Sequence, residues 1–84
     1  MLITRETDYA LRMLRVLLDG EKHSAAEMAE TELIPMQFAY QILRKLSAGE
    51  LVQVSRGAAG GCRLSCDLRG VSLYDLMAVM GEHD

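Results

Sequence analysis

Residues 54–65 read VSRGAAGGCRLS, and they set Gly57, Gly60 and Gly61 between Arg56 and Arg63. Arginine keeps its charge at every physiological pH and offers five donors in a rigid fork. Glycine admits positive φ and lets a backbone come close to another surface. A slim glycine-rich turn flanked by arginines therefore suits entry into a narrow, strongly negative groove, such as the minor groove of A·T-rich DNA. The competing reading is a flexible hairpin exposed to solvent.

A second cluster decides between them. In PMQFAYQILRKL, a helical period puts Ala39, Ile42, Leu43 and Leu46 on one face, and Gln37, Gln41 and Arg44 opposite. Phe38, Tyr40 and Lys45 occupy the shoulders. Amides, cations and aromatic rings are contact chemistry, unlike the Glu and Lys of an ordinary solvent-facing helix. Gln pairs bidentately with adenine, aromatic edges touch thymine methyls, and cations meet phosphates. The two clusters together favour groove insertion.

Other candidates are weaker. Cys62 and Cys66 form a C-x3-C pair, which on a continuous strand would share one side and give two ligands where a structural zinc needs about four. Partly buried thiols are the expectation, with a redox-sensing pair as the alternative. Asp8 reads as a first-turn helix charge, Tyr9 as a packing ring, and the six methionines as core filling. His23, ahead of Ser24, and His83, near the last residue, receive no role. No nucleophile–base set or paired acids are visible, and GAAGG lacks the lysine of a nucleotide loop, so an enzyme is not expected.

The elements that must position these residues are punctuated clearly. Thr4 caps a first helix over residues 4–19, with Tyr9, Ala10, Met13, Leu14 and Leu17 as its apolar stripe and Asp19-Gly20 as its end. Ser24 and Glu27 stand at capping-box spacing for a second helix over 24–31. Pro35 opens a third over 35–48, with Gly49 expected at its C-terminus. LVQV and CRLS read as the strands of a hairpin over 51–66. Ser72 and Asp75 cap a fourth helix over 72–81, with Leu73, Leu76, Met77 and Met80 facing inward. The fold class is mainly α with a small β-hairpin, in the order of a winged helix-turn-helix.

The 84 residues suffice for one domain. Their net charge of −3 is unevenly spread: residues 35–63 carry four cations against one acid, between two acidic flanks. One face for an anionic partner is implied. The acidic start lacks the form of a signal peptide, no run reaches membrane-spanning length, and two cysteines fit a reducing compartment, so a cytoplasmic protein is expected.

Taken in order, ITRETDYALR, IPMQFAYQILRKL, LVQVSRGAAGG and VSLYDLMAVM resemble the IscR-like (Rrf-type) winged-helix regulators of bacteria, over essentially the whole chain. ITRETDYALR resembles the NsrR branch most. The resemblance implies a transcription regulator, with repression the expected mode, that binds a palindromic operator in double-stranded DNA as a homodimer. The third helix would enter the major groove and the wing the minor groove. It assigns base contact to Gln37, Phe38 and Tyr40, with Gln41 nearby, and the wing arginine to Arg56; beside them Arg44 and Lys45 are expected to meet phosphates, and Gly57, Gly60, Gly61 and Arg63 to complete the wing. Ala58, Ala59 and Cys62 depart from the family's usual wing. Members with an iron–sulfur cluster hold it with three cysteines beyond the fourth helix. No such set occurs in these 84 residues, so no cofactor is expected within them, and a cluster requires a longer chain with clustered cysteines. The alternative function is a winged-helix module that binds protein, suggested by the negative net charge and by Phe38 and Tyr40 as exposed anchors.

Overall fold

The computed structural model describes residues 4–55 and 60–81. Arg56, Gly57, Ala58, Ala59 and His83 lie outside them. The observed order is α1 (Arg5–Val16), a 3₁₀ turn (Leu17–Asp19), α2 (Ala25–Glu32), α3 (Met36–Ala48), β1 (Val52–Ser55), β2 (Gly61–Leu64), a second 3₁₀ turn (Leu68–Gly70) and α4 (Leu73–Val79).

Local chemistry sets most helix starts. The Thr4 and Ser24 hydroxyls accept from the N–H groups of Thr7 and Glu27, and Ser72 and Asp75 close a reciprocal capping box. Pro35 has no N–H to lose, and its carbonyl accepts from Phe38 and Ala39 at 3.0 Å each. The α-helical part of the first helix stops at Val16, and Gly20 at φ 79° completes the stop through the 3₁₀ turn.

Gly49 closes α3 as its C-cap, as expected, at φ −84°, and the left-handed residue is its neighbour Glu50, at φ 62°. Glycine is needed at 49 because a Cβ would lie 2.9 Å from both γ-methyl groups of Val79 on α4. Leu73 faces solvent more than the apolar stripe of α4 suggested, leaving Leu76 and Met80 to enter the core. β2 ends at Leu64, so Cys62 and Cys66 do not share a continuous strand.

The core lies where the helices meet. Ala10, Met13, Leu14 and Leu17 of the α1 region pack with Met28 and Ala29 of α2 and with Ala39, Ile42, Leu43 and Leu46 of α3. Leu51, Val52, Cys62, Leu76 and Met80 close its lower side. Full burial of a side chain such as Ile42 is worth about 1.5–3 kcal/mol, so this contact fixes which face of α3 is left to solvent. The hairpin is antiparallel, with Val52 opposite Leu64, Gln53 opposite Arg63, Val54 opposite Cys62 and Ser55 opposite Gly61.

Candidate nucleic-acid interface

With its apolar stripe committed to the core, α3 exposes Gln37, Tyr40, Gln41 and Arg44. Arg44 has no ion-pair partner among the described residues, so its guanidinium is available to an outside anion. Across the hairpin, Gln53 and Arg63 sit opposite each other and are both exposed, and Arg63 is likewise unpaired among the described residues.

The helix and the hairpin open onto the same side of the molecule. Tyr40, Leu43 and Arg44 of α3 and Val54, Gly60 and Gly61 of the hairpin line one open cleft of about 950 Å³. Ser24, Ala25 and Ala26, at the N-terminal end of α2, form its third wall. Sequence reasoning gave those three small residues no place in the site. Their signal was available, because a capped helix start is where backbone N–H groups lack partners within the helix.

Two expected contact residues are turned to other work. Phe38 is half-buried, its ring centroid 6.1 Å from that of Tyr9, so it braces α3 on α1 and does not stand out as a base-reading edge. Lys45 reaches the Glu6 carboxylate at 2.5 Å and the Met80 carbonyl at 3.1 Å, so its ammonium is spent on α1 and the end of α4. Gly61 is corrected in its reason: it is a strand residue without positive φ, and it is small because the Lys22–His23 segment crosses against it. Gly60 lines the cleft. Arg56 and Gly57 fall outside the described residues.

No group of three or more His, Cys, Asp or Glu residues is arranged to hold a metal ion among the described residues. Burial pushes the Cys62 thiol up to about 11, which keeps it protonated and a poor ligand at neutral pH. Cys66 points its thiol at the Leu51 carbonyl. Asp8 is engaged by Arg12 at 3.0 Å, and Arg12 also lies over the Tyr9 ring.

Residues 3–84 match the family described as Rrf2, iron-dependent transcriptional regulator. Iron finds no fitting donor set among the described residues, since burial keeps the Cys62 thiol protonated, Cys66 turns to the Leu51 carbonyl and Asp8 is paired with Arg12. Protein aau3 of Rhizobium meliloti (strain 1021) is 36% identical over 81 residues, covering 94% of this chain. The chain spans only 53% of that relative's length. Among solved structures, CymR (YrzC), the global cysteine regulator of B. subtilis, superposes with a TM-score of 0.85 at 23% identity, over 99% of this chain and 67% of that one. T. potens IscR gives 0.82 at 22% identity over 95% and 61%, and the oxidised form of Staphylococcus aureus CymR gives 0.83 at 25% over 100% and 71%. These likenesses reach the family and do not single out the NsrR branch. A winged helix-turn-helix with an uncommitted polar face on α3, matched over nearly its whole length, identifies the chain as a member of the Rrf2 family of transcriptional regulators, not of an enzyme family.

Proposed function

We propose that this domain reads a palindromic operator in double-stranded DNA as one half of a homodimer, and that occupancy of the operator represses transcription. The observation that carries the reading is the shared cleft: α3 and the hairpin both line it, Arg44 is one of its walls, and neither Arg44 nor Arg63 has an ion-pair partner among the described residues. α3 enters the major groove, where Gln37, Tyr40 and Gln41 meet base edges and Arg44 meets phosphate. The hairpin follows the neighbouring minor groove, with Arg56 and Arg63 as its cations. Exposed leucines on α1 and α4 support the pairing of two copies. A DNA partner implies a cytoplasmic site of action, and no described helix is long and apolar enough to cross a membrane. Any iron–sulfur cluster would need thiolates from outside these residues.

Selection of bound duplexes from a randomised library is expected to enrich one inverted repeat. Affinity for it should fall steeply with salt, each neutralised phosphate contributing about 0.9 to the logarithmic slope. Arg44→Ala should lower that slope by about 1 with little change in sequence preference. Gln37→Ala should instead relax the preference at one position, by about 1–3 kcal/mol. Failure to enrich any motif overturns the reading. The protein-binding alternative loses half of its motivating pair, because Phe38 is braced on Tyr9.

A further inference from the structure

The segment that joins α1 to α2 also carries the hairpin. At His23 the backbone runs beside β2, on the edge that β1 leaves open. The His23 N–H donates to the Cys62 carbonyl at 2.9 Å, and the Cys62 N–H donates to the His23 carbonyl at 2.7 Å. The approach is tight: a Cβ on Gly61 would lie 3.0 Å from the His23 carbonyl oxygen and 2.9 Å from Lys22 Cγ.

The side chain of His23 is held from both sides and is only 14% exposed. Nδ1 lies 2.6 Å from the Glu27 carboxylate on α2, and Nε2 lies 2.8 Å from the Asp19 carboxylate in the turn after α1. A neutral imidazole has one N–H and one lone pair. Between two carboxylates, its lone pair would face the lone pairs of an oxygen. Only the imidazolium donates to both acids, so the closed arrangement is that of the protonated ring.

The surrounding groups leave that logic intact. Asp19 and Glu27 are the acids in contact with the ring, and Lys22 precedes it in the chain. On β2 the Cys62 thiol stays neutral, and Arg63 turns to the opposite face of the strand. The hydrogen bonds that the ring donates to Glu27 and then to Asp19 raise its pKa above its ordinary 6.5. The Asp19 carboxyl is held below its usual range, first by the Glu21 N–H and then by His23.

We propose that His23 is a positioning residue for the wing: the protonated ring, clasped between Asp19 and Glu27, keeps the Lys22–His23 segment extended and so docks β2 against the helical body. The idea rests on the DNA-binding reading, because wing placement matters through groove contact. Since the folded ring binds its proton more tightly than the unfolded one, the clasp contributes fully below the ordinary histidine pKa. Its contribution is lost as pH rises through the higher folded value. Loss of the proton frees one carboxylate and loosens the segment on which β2 rests.

The test is an NMR titration of the intact chain from about pH 5.5 to about pH 8.5. The His23 ring should titrate above its ordinary value, with the amides of Gly61, Cys62 and Arg63 shifting at the same midpoint. Glu27→Gln should move both midpoints to lower pH, and His23→Gln should abolish the amide titration. On the duplex recovered from the library, wild-type affinity should fall about fivefold or more as pH rises through that midpoint, a modest coupling between two sites. The fall should be absent in His23→Gln, and His83, present in both proteins, cancels from the comparison. A ring that titrates at its ordinary value with the hairpin amides unmoved overturns the proposal, as does a wild-type pH profile retained by His23→Gln. Where His23→Gln fails to fold, the midpoint shift in Glu27→Gln decides. If no duplex is recovered, the DNA-binding reading fails while the NMR arm still judges the clasp.

Discussion

A lysine on the shoulder of a DNA-reading helix has two claims on its charge, a phosphate outside and a carboxylate within. At Lys45 the second prevails, because Glu6 at the start of α1 and the Met80 carbonyl at the end of α4 both fall within reach of Nζ. Arg44, one residue earlier, is exposed and has no ion-pair partner among the described residues. The neighbours should therefore behave differently when removed. Lys45→Met is expected to cost about 1 kcal/mol of stability, since the pair is about one-third exposed and partly screened, while the salt slope of DNA binding stays unchanged. Arg44→Ala should do the reverse. Denaturant titration and binding across a salt series, run on both variants, separate the two roles. A reduced salt slope in Lys45→Met would show that its ammonium leaves Glu6 for the phosphate backbone.

Among the elements, the helices announce themselves because their ends are local chemistry. Thr4, Ser24 and the Ser72–Asp75 box cap the N–H groups of their own first turns, and Pro35 ends one segment while opening the next. What escapes a one-dimensional reading is set by partners distant in the chain. Leu33 and Glu50 are left-handed although neither residue type invites it, since the chain must reverse there to lay α3 on α2 and β1 on α3. Phe38 looked like a contact residue because what claims it, the Tyr9 ring, lies on another helix. The spacing Asp19-x3-His23-x3-Glu27 was visible, but its meaning depended on β2 lying alongside. Gly61 makes that dependence measurable. Gly61→Ala puts a methyl against a backbone carbonyl, and is expected to destabilise by about 1–3 kcal/mol and to weaken protection of the Cys62 amide from hydrogen exchange. Gly70→Ala is the control, with nothing within 4 Å of its Cβ and no left-handed φ, and should be close to neutral. Equal stabilities for the two variants would mean that the hairpin does not rest on the His23 segment.

At the scale of the whole molecule, charge is unevenly spread along the chain: residues 35–63 carry four cations against one acid, Arg44 among them lining the cleft, while the excess of acid lies in the flanking segments and keeps the net charge at −3. A second depression, about 390 Å³, lies between α1 and α4, where Leu11, Leu18 and Leu73 are exposed around Leu68 and Val71. Leu18 is 61% exposed, more than a leucine gains by facing water, and three such residues along one groove make an apolar face that a second copy can cover. A palindrome requires a two-fold axis, and a second copy seated on this face would supply one. Leu18→Glu places a carboxylate in this contact and should leave the monomer's fold intact, because the side chain is already largely in water. Sedimentation is expected to show dimers of the wild-type chain at micromolar concentration and monomers of the variant. Binding to a single half-site should change little, whereas affinity for the full inverted repeat should drop by at least about tenfold, once the second half-site no longer binds as part of one complex. Unchanged dimerisation in Leu18→Glu would move the two-fold contact away from α1 and α4, and with it the predicted spacing of the half-sites.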